Sequence, residues 1–551
     1  MNAALEAADI VWFDVCETLF IRPLVEPEHL FDLVGARVGI VEFKRRRIAA
    51  EALARSEAAA RGAAVTLDSI YERLEATPAQ RDLARRTEYR FELALWRPVP
   101  DAVASFRAVA AAGRAVLSGT THLPAGFFDE LLALHDLPAA PVILSDAEWE
   151  ADRALSPVEL IARHMNVRPD RILPFATGRA GDVDPVDPPE RPVTEGIASL
   201  AFGLRRIGGD GLGGARAALG FEIAGPALTG FVHWLGEQAR RDQIDLLLFC
   251  SGPGMALIRI AEGPYPPLLP RHGYFATGPA AILLAGTHDR NFDARLELFM
   301  AGCHGMRAFE VLERFDIPVP APFMMADIGL GDDVVIDHAT EPLLRRFLSA
   351  YRWEILKVAR RNRRGLFREL LDLGAGPNMR VALVDLGWDG SLLESFIHTV
   401  QDMIEIEIFG YSFCLLDTQE SRRRQGLLNL KGLLSRSSLP PEQLAAIGAN
   451  HAAIELLFTP PHREIIGLDD LPGAVARIES RKGYGSDRLE AVSTETSEGV
   501  AAFAALFNTF CARAGFEPDP IAVCQPFLAV AADAQAVAGP VVAALEVPAT
   551  A

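Results

Sequence analysis

Ile10-Val-Trp-Phe-Asp-Val-Cys-Glu-Thr-Leu-Phe20 is the stretch on which the reading of this chain turns. An apolar run without polar alternation leads directly into Asp14. That is the pattern of a strand buried in a parallel sheet, and it places Asp14 at the C-terminal edge. Outward from it, helix and strand patterns alternate. Residues 26–97 are rich in Ala, Arg and Glu and poor in Gly, and read as a helical block closed by Pro98 and Pro100. Residues 101–112 predict a helix stopped by Gly113, residues 114–118 a second strand ending at Ser118, and residues 119–124 its loop. A helix at 127–135, a strand at 142–145, a helix at 157–165 and a strand at 171–176 complete the succession. It predicts an α/β parallel sheet with one helical insert after the first strand.

Residues 178–192, rich in Gly, Asp and Pro, read as a surface loop, and the Gly-rich stretch 206–219 as a linker. The domains expected are 1–205, with the helical insert at about 25–98, a second α/β domain at 220–480, and a helical C-terminal segment at 481–551. In the second domain the pattern predicts a helix at 225–240, a buried strand at 245–250, a mostly helical stretch at 288–316, a long helix at 341–373 and strands at 381–385 and 406–414.

The whole chain has 551 residues, and half of them are hydrophobic, enough for large cores and too many for a disordered chain. A net charge of −19 excludes a general nucleic-acid binder, because phosphate contact needs a positive surface. No apolar run approaches the length of a membrane span. The N-terminus is acidic, without the pattern of a signal peptide. The six scattered cysteines form no CxxC pair, which argues against a zinc cluster or a disulfide framework. A cytoplasmic protein is expected. The basic residues are nearly all Arg; the lysines are Lys44, Lys357, Lys431 and Lys482.

Three segments in order resemble the haloacid dehalogenase (HAD) superfamily, whose members are mostly phosphohydrolases. "FDVCETL" resembles its nucleophile strand, "AVLSGTTHLP" its second strand ending in Ser or Thr, and "RILPFATGRAGDVDP" its acidic metal loop. "FDVCETLFIRP" is similar to the "FDxFDTLxxR" form of large bacterial proteins associated with glycosyltransferases and surface polysaccharide. The resemblance implies a HAD-like Rossmannoid sheet with a helical cap of the first type, the insert at 25–98. It implies Asp14 as nucleophile and magnesium ligand, Glu17 as general acid, Thr18 and Ser118 as phosphate ligands, and Asp182 as a further Mg2+ ligand. An Asp nucleophile splits phosphoryl transfer into two easier steps through an aspartyl phosphate. The metal neutralises the phosphate.

The chain departs from that pattern. Position +2 after Asp14 is Cys16, and Glu17 at +3 is the substitute acid. Thr177 stands where the first acidic residue of the metal loop would be. No lysine lies between Lys44 and Lys357, so the family's bridging lysine is missing. Arg153 is the nearest candidate phosphate ligand, and its delocalised guanidinium is not an equivalent.

Residues 220–470 resemble the C-terminal portion of the same large proteins, through "GFEIAGPALTGFVHWL", "VALVDLGWDGSL" and "IELLFTPPHREIIG". Those relatives carry "RDG" where this chain has Gly252-Pro253-Gly254, and "SR" where it has Thr277-Gly278. Asp385, Gly387, Gly390 and Ser391 form a second candidate site, a short turn that can approach a phosphate through backbone N–H groups. The same turn reads first as plain strand-to-helix structure in which Asp385 caps the helix. Trp388 reads as packing, His462 as a loop histidine, and the arginine run at 360–364 as a solvated helix face. The function expected is a Mg2+-dependent phosphohydrolase of a small phosphorylated metabolite such as a sugar phosphate. The alternative is an inactive HAD-like binding or regulatory protein partnered with bacterial glycan-biosynthesis proteins.

Overall fold

The computed structural model describes residues 8–16, 18–119, 121–144, 156–175, 196–208 and 212–546. The chain is α/β, built on parallel sheets with many helices. It divides into two compact units, residues 1–211 with 506–529 and residues 212–505 with 530–551.

In the first unit four parallel strands lie in the spatial order Val142–Leu144, Ala115–Gly119, Ile10–Asp14, Ile172–Phe175. Their apolar runs bury Ile10, Val116, Ile143 and Ile172 against Leu160 and Ile161 of the helix Pro157–Met165. That helix starts where its sequence says it should. Ser156 and Glu159 form a reciprocal capping box, with a Pro in the first turn. Phe13 is fully buried between Phe106, whose ring lies edge-on at 5.3 Å, and Phe175, stacked at 4.7 Å.

After the first strand the pair Phe20–Ile21 runs antiparallel to Arg97–Pro98. The chain therefore departs from the sheet and returns to it at one place, and the helices between form an insert within the same unit. It consists chiefly of the helices Leu30–Val38, Phe43–Arg61, Leu67–Glu72 and Pro78–Leu95. The expected single helical block is divided by left-handed Gly39 and Gly62 and restarted by capping boxes at Thr66 and Thr77.

The second unit carries a five-stranded parallel sheet in the order Leu430–Leu434, Glu407–Leu415, Arg380–Trp388, Leu246–Cys250, Arg271–Phe275. The two edge strands escape the sequence pattern. Arg271-His-Gly-Tyr-Phe275 is half exposed and mostly polar, and Leu430-Lys-Gly-Leu-Leu434 is short and interrupted. An antiparallel hairpin, Ile465–Leu471 with Ala474–Glu479, packs on the helix Arg352–Leu373. Fully buried Asn362 joins the two, its Oδ1 accepting from the Leu468 amide at 2.7 Å. The single helix expected at 341–373 is two, Glu341–Ala350 and Arg352–Leu373, parted at Tyr351. The stretch expected to be mostly helical at 288–316 holds Phe292–Met300 and Ala308–Glu313, separated by a turn with Gly302 and Gly305 at φ 67° and 84°. In the expected linker, Ala215–Leu219 is already helical and runs through a π-turn at Gly220–Ala224 into the helix Gly225–Asp242. The helix Ser486–Ala514 and three shorter ones form the C-terminal region. Among the described residues no helix is long and apolar enough to cross a membrane, and no disulfide joins the six cysteines.

Candidate functional site

The apolar run Ile10–Phe13 forces the first strand into the middle of its sheet, and the strand stops at Asp14. Ser118, at the end of the neighbouring parallel strand, is its register partner. Carboxylate and hydroxyl thus arrive side by side at the C-terminal edge, where open α/β sheets bind ligands. The turn that follows is tight. The Cys16 amide donates to Asp14 Oδ1 at 2.8 Å, the Leu19 amide to the Asp14 carbonyl at 3.1 Å, and the Phe20 amide to the Val15 carbonyl at 3.0 Å. Thr18 lies within this turn and is buried, as is Ser118, while Asp14 and Cys16 are half-buried. Gly119 sits against both: a Cβ there would lie 3.8 Å from Asp14 Oδ1 and 3.7 Å from Cys16 Sγ. The structure brings Asp14, Thr18 and Ser118 to one strand edge. Glu17, Arg153, Thr177 and Asp182 lie outside the described residues.

The loop after Ser118 is held by the helical insert. Fully buried Arg47 donates to Glu88 through Nε and Nη2 at 2.8 and 2.7 Å, and to Glu51 through Nη1 at 2.8 Å. The Tyr71 hydroxyl donates to Glu88 at 2.6 Å. Burial alone would raise the Glu88 pKa, but Arg47 and His122 together hold it down to about 2. His122 belongs to the loop that follows Ser118, its Nε2 lies 3.4 Å from Glu88 Oε1, and its carbonyl accepts from the Leu67 amide at 2.9 Å. Sequence reasoning missed this cluster, because its members are spread from 47 to 122 without a spacing signal. Beside it lies a cleft of about 430 Å³, walled by the insert residues Thr66, Asp68, Arg85 and Tyr89 and by His122 and Pro124 of the loop. Burial, with the Glu130 carboxylate, pushes the Tyr89 phenol up to about 12, so it stays a hydrogen-bond donor.

The second candidate site has a different character. Asp385 also has a serine as register partner on the next parallel strand, and the Ser412 hydroxyl donates to its Oδ1 at 2.7 Å. Here, however, the strand continues to Trp388, so the carboxyl is buried among strands. Burial raises its pKa to about 6, against the opposing Ser412 hydrogen bond. Burial and Asp385 push the neighbouring Cys250 thiol up as well. Gly387 stands at φ 102°, and a Cβ there would lie 2.1 Å from the Cys414 carbonyl oxygen, so no side chain fits. Gly390, at φ 77°, is the residue before the helix Ser391–Val400. The Ser391 amide donates to Asp389 Oδ1 at 2.9 Å, and with Gly390 as the N-cap residue Asp385 does not cap the helix. Arg424 closes this turn, donating to Asp389 Oδ2 at 2.8 Å and to Glu394 at 2.7 Å.

Trp388 donates from its indole to Glu455 at 2.7 Å, at a φ of 80°. Gly252, Pro253 and Gly254 lie in the first turn of the helix Ser251–Ala261, and a Cβ on Gly254 would meet the Tyr274 ring at 2.7 Å. Thr277 is buried, and its hydroxyl has no hydrogen-bond partner. His462 Nε2 lies 2.7 Å from the Tyr274 hydroxyl, and its Nδ1 lies 2.7 Å from the Arg463 carbonyl. In the arginine run, Arg361 pairs with Asp316, and Arg363 donates to the carbonyls of Ala285 and Asp402.

Every lysine in the chain is paired with a carboxylate: Lys44 with Asp32, Lys357 with Glu354, Lys431 with Asp242 and Lys482 with Glu310. No protein-family model matches the chain, and no curated protein matches it.

Proposed function

We propose that the first unit is a HAD-type phosphohydrolase of a small phosphorylated metabolite, a sugar phosphate being the class that fits best. The observation that carries this reading is the pairing of Asp14 with Ser118, in register, at the C-terminal ends of two central parallel strands. In this reading the Asp14 carboxylate attacks phosphorus, and the leaving alkoxide departs as an aspartyl phosphate forms. Water then cleaves that acyl phosphate and regenerates the carboxylate. Ser118 and Thr18 supply hydroxyl donors to the non-bridging oxygens. Cys16 is a poor proton donor to a leaving alkoxide, so Glu17 has that role. The insert cleft beside the Ser118 loop takes the organic part of the substrate.

Mg2+ is the cation this chemistry would use. Asp14, an oxygen ligand at the strand edge, suits a hard ion, and Asp182 is its intended companion. The ion would neutralise phosphate charge.

A second reading is favoured by one observation. All four lysines are paired with carboxylates, so no lysine stands unpaired to bridge nucleophile and phosphate. On that reading the unit binds a phosphorylated ligand without turnover and works with proteins of glycan assembly. One experiment separates the two: hydrolysis of p-nitrophenyl phosphate by the full chain with Mg2+, against the Asp14→Asn variant. Turnover that needs both Mg2+ and Asp14 supports the phosphohydrolase. Ligand affinity without turnover supports the binding protein. Equal turnover in both chains would sink the first reading.

A further inference from the structure

We propose that His304, His338 and Glu341, in the second unit, form a binding site for one divalent transition-metal ion, with Zn2+ the favoured occupant. One donor atom from each of the three lies within 4.8 Å of the other two. His304 Nε2 is 3.0 Å from Glu341 Oε2, and the two imidazoles meet edge to face with centroids 4.4 Å apart. Tetrahedral ligands bonded at roughly 2.0–2.1 Å stand about 3.3 Å from one another. Closing this triad on an ion therefore requires side-chain rotation and no rebuilding of the backbone.

The backbone is already set for it. The turn that carries His304 is bound to the segment that carries His338. The Gly305 amide donates to the Ile336 carbonyl at 2.9 Å, the Ile336 amide to the Met306 carbonyl at 2.7 Å, and Arg307 bridges to Val335. Asp337 then organises the approach to the helix Glu341–Ala350. Its Oδ1 accepts from the amides of Ala339 and Thr340, both at 2.9 Å, and its carbonyl accepts from the Glu341 amide at 2.8 Å. His338 lies in the turn before that helix and Glu341 is the helix's first residue, and the turn brings their donor atoms within 4.8 Å of each other. Beneath them Cys303, Ile336 and Leu344 are buried in one apolar cluster, which gives the triad a firm floor.

The donor chemistry selects the ion. Two imidazole nitrogens and one carboxylate oxygen suit Zn2+ and leave a fourth position for water, whereas Mg2+ and Ca2+ prefer oxygen alone. Glu341 lies against His304, and Arg345, 3.9 Å from it, is paired to Glu297.

The test is isothermal titration of the full chain, stripped by a chelator, with Zn2+. One equivalent should bind, and His304→Ala, His338→Ala and Glu341→Ala should each weaken binding tenfold or more. The titration is run in excess Mg2+, which should not compete for two imidazoles and a carboxylate. All three side chains lie outside the core, and matching circular dichroism of each variant verifies its fold. Co2+ supplies an independent readout: visible bands of a four-coordinate site in the wild-type chain, lost in His338→Gln. Absence of stoichiometric Zn2+ binding, or binding indifferent to all three substitutions, would overturn the proposal.

Discussion

Asp14 and Asp385 stand in matching places in two different sheets. Each lies on a central parallel strand with a serine as its register partner, Ser118 for one and Ser412 for the other. The first strand ends at its Asp, whereas the second runs on to Trp388. Asp14 is therefore half open at the sheet edge. Asp385 is enclosed, bonded to Ser412 and shifted toward protonation. Where the strand stops decides whether a carboxylate meets a ligand or becomes part of the interior.

The sharpest break of this comparison is a paired substitution. Asp14→Asn should lower phosphate-ester turnover by on the order of a thousandfold or more, since the nucleophile is lost. Asp385→Asn should leave turnover within about twofold, because its carboxyl is enclosed in the other unit's sheet and takes part in no step of the proposed reaction. Steady-state assays on both variants decide it.

Next in size is the ionic cluster that holds the Ser118 loop. Glu88→Gln removes the buried carboxylate that takes two of Arg47's hydrogen bonds, leaving Glu51 as its charged partner, and should cost about 3–5 kcal/mol in urea denaturation. It should also impair turnover by loosening His122.

The third effect has the opposite sign. Asp385 has a folded-state pKa of about 6, raised from 3.8 by burial. Between those values the folded state holds more protons than the unfolded one, so this group lowers stability as pH rises through that window. The loss approaches about 3 kcal/mol and is complete above pH 6. Asp385→Asn should remove that contribution, seen as a difference between variant and wild-type urea midpoints that grows as pH rises through the window. The smallest effect is Ser412→Ala, which removes a donor to the carboxylate. It should cost about 1–2 kcal/mol at neutral pH and move the Asp385 transition further up.

The core strands were legible because burial on both faces writes itself as uninterrupted apolar runs, as at Ile10–Phe13 and Val381–Val384. Asp14 and Ser118 were legible for the same reason, each lying at or next to a strand end, whereas Thr18, in the turn that follows Asp14, was implied by the family resemblance alone. The edge strand Arg271–Phe275 was not, since an edge has no need of an apolar run. The break at Tyr351 leaves no Gly or Pro to announce it. Long-range groupings were invisible: Arg47, Glu88 and His122 converge from three segments, as do Asn362 and Leu468. His304 and His338 meet only because a short backbone bridge sets their segments together. Asp385 shows the limit of local pattern most plainly, because its strand-then-glycine text resembles a ligand turn while the strand continues past it.

The most direct test is to mix the full chain with Mg2+ and a phosphorylated sugar, quench in acid, and map the peptides by mass spectrometry. One added phosphoryl group is expected on the peptide containing Asp14, absent in Asp14→Asn, and none on the peptide containing Asp385. Phosphoryl on another residue, or turnover that survives Asp14→Asn, would contradict it.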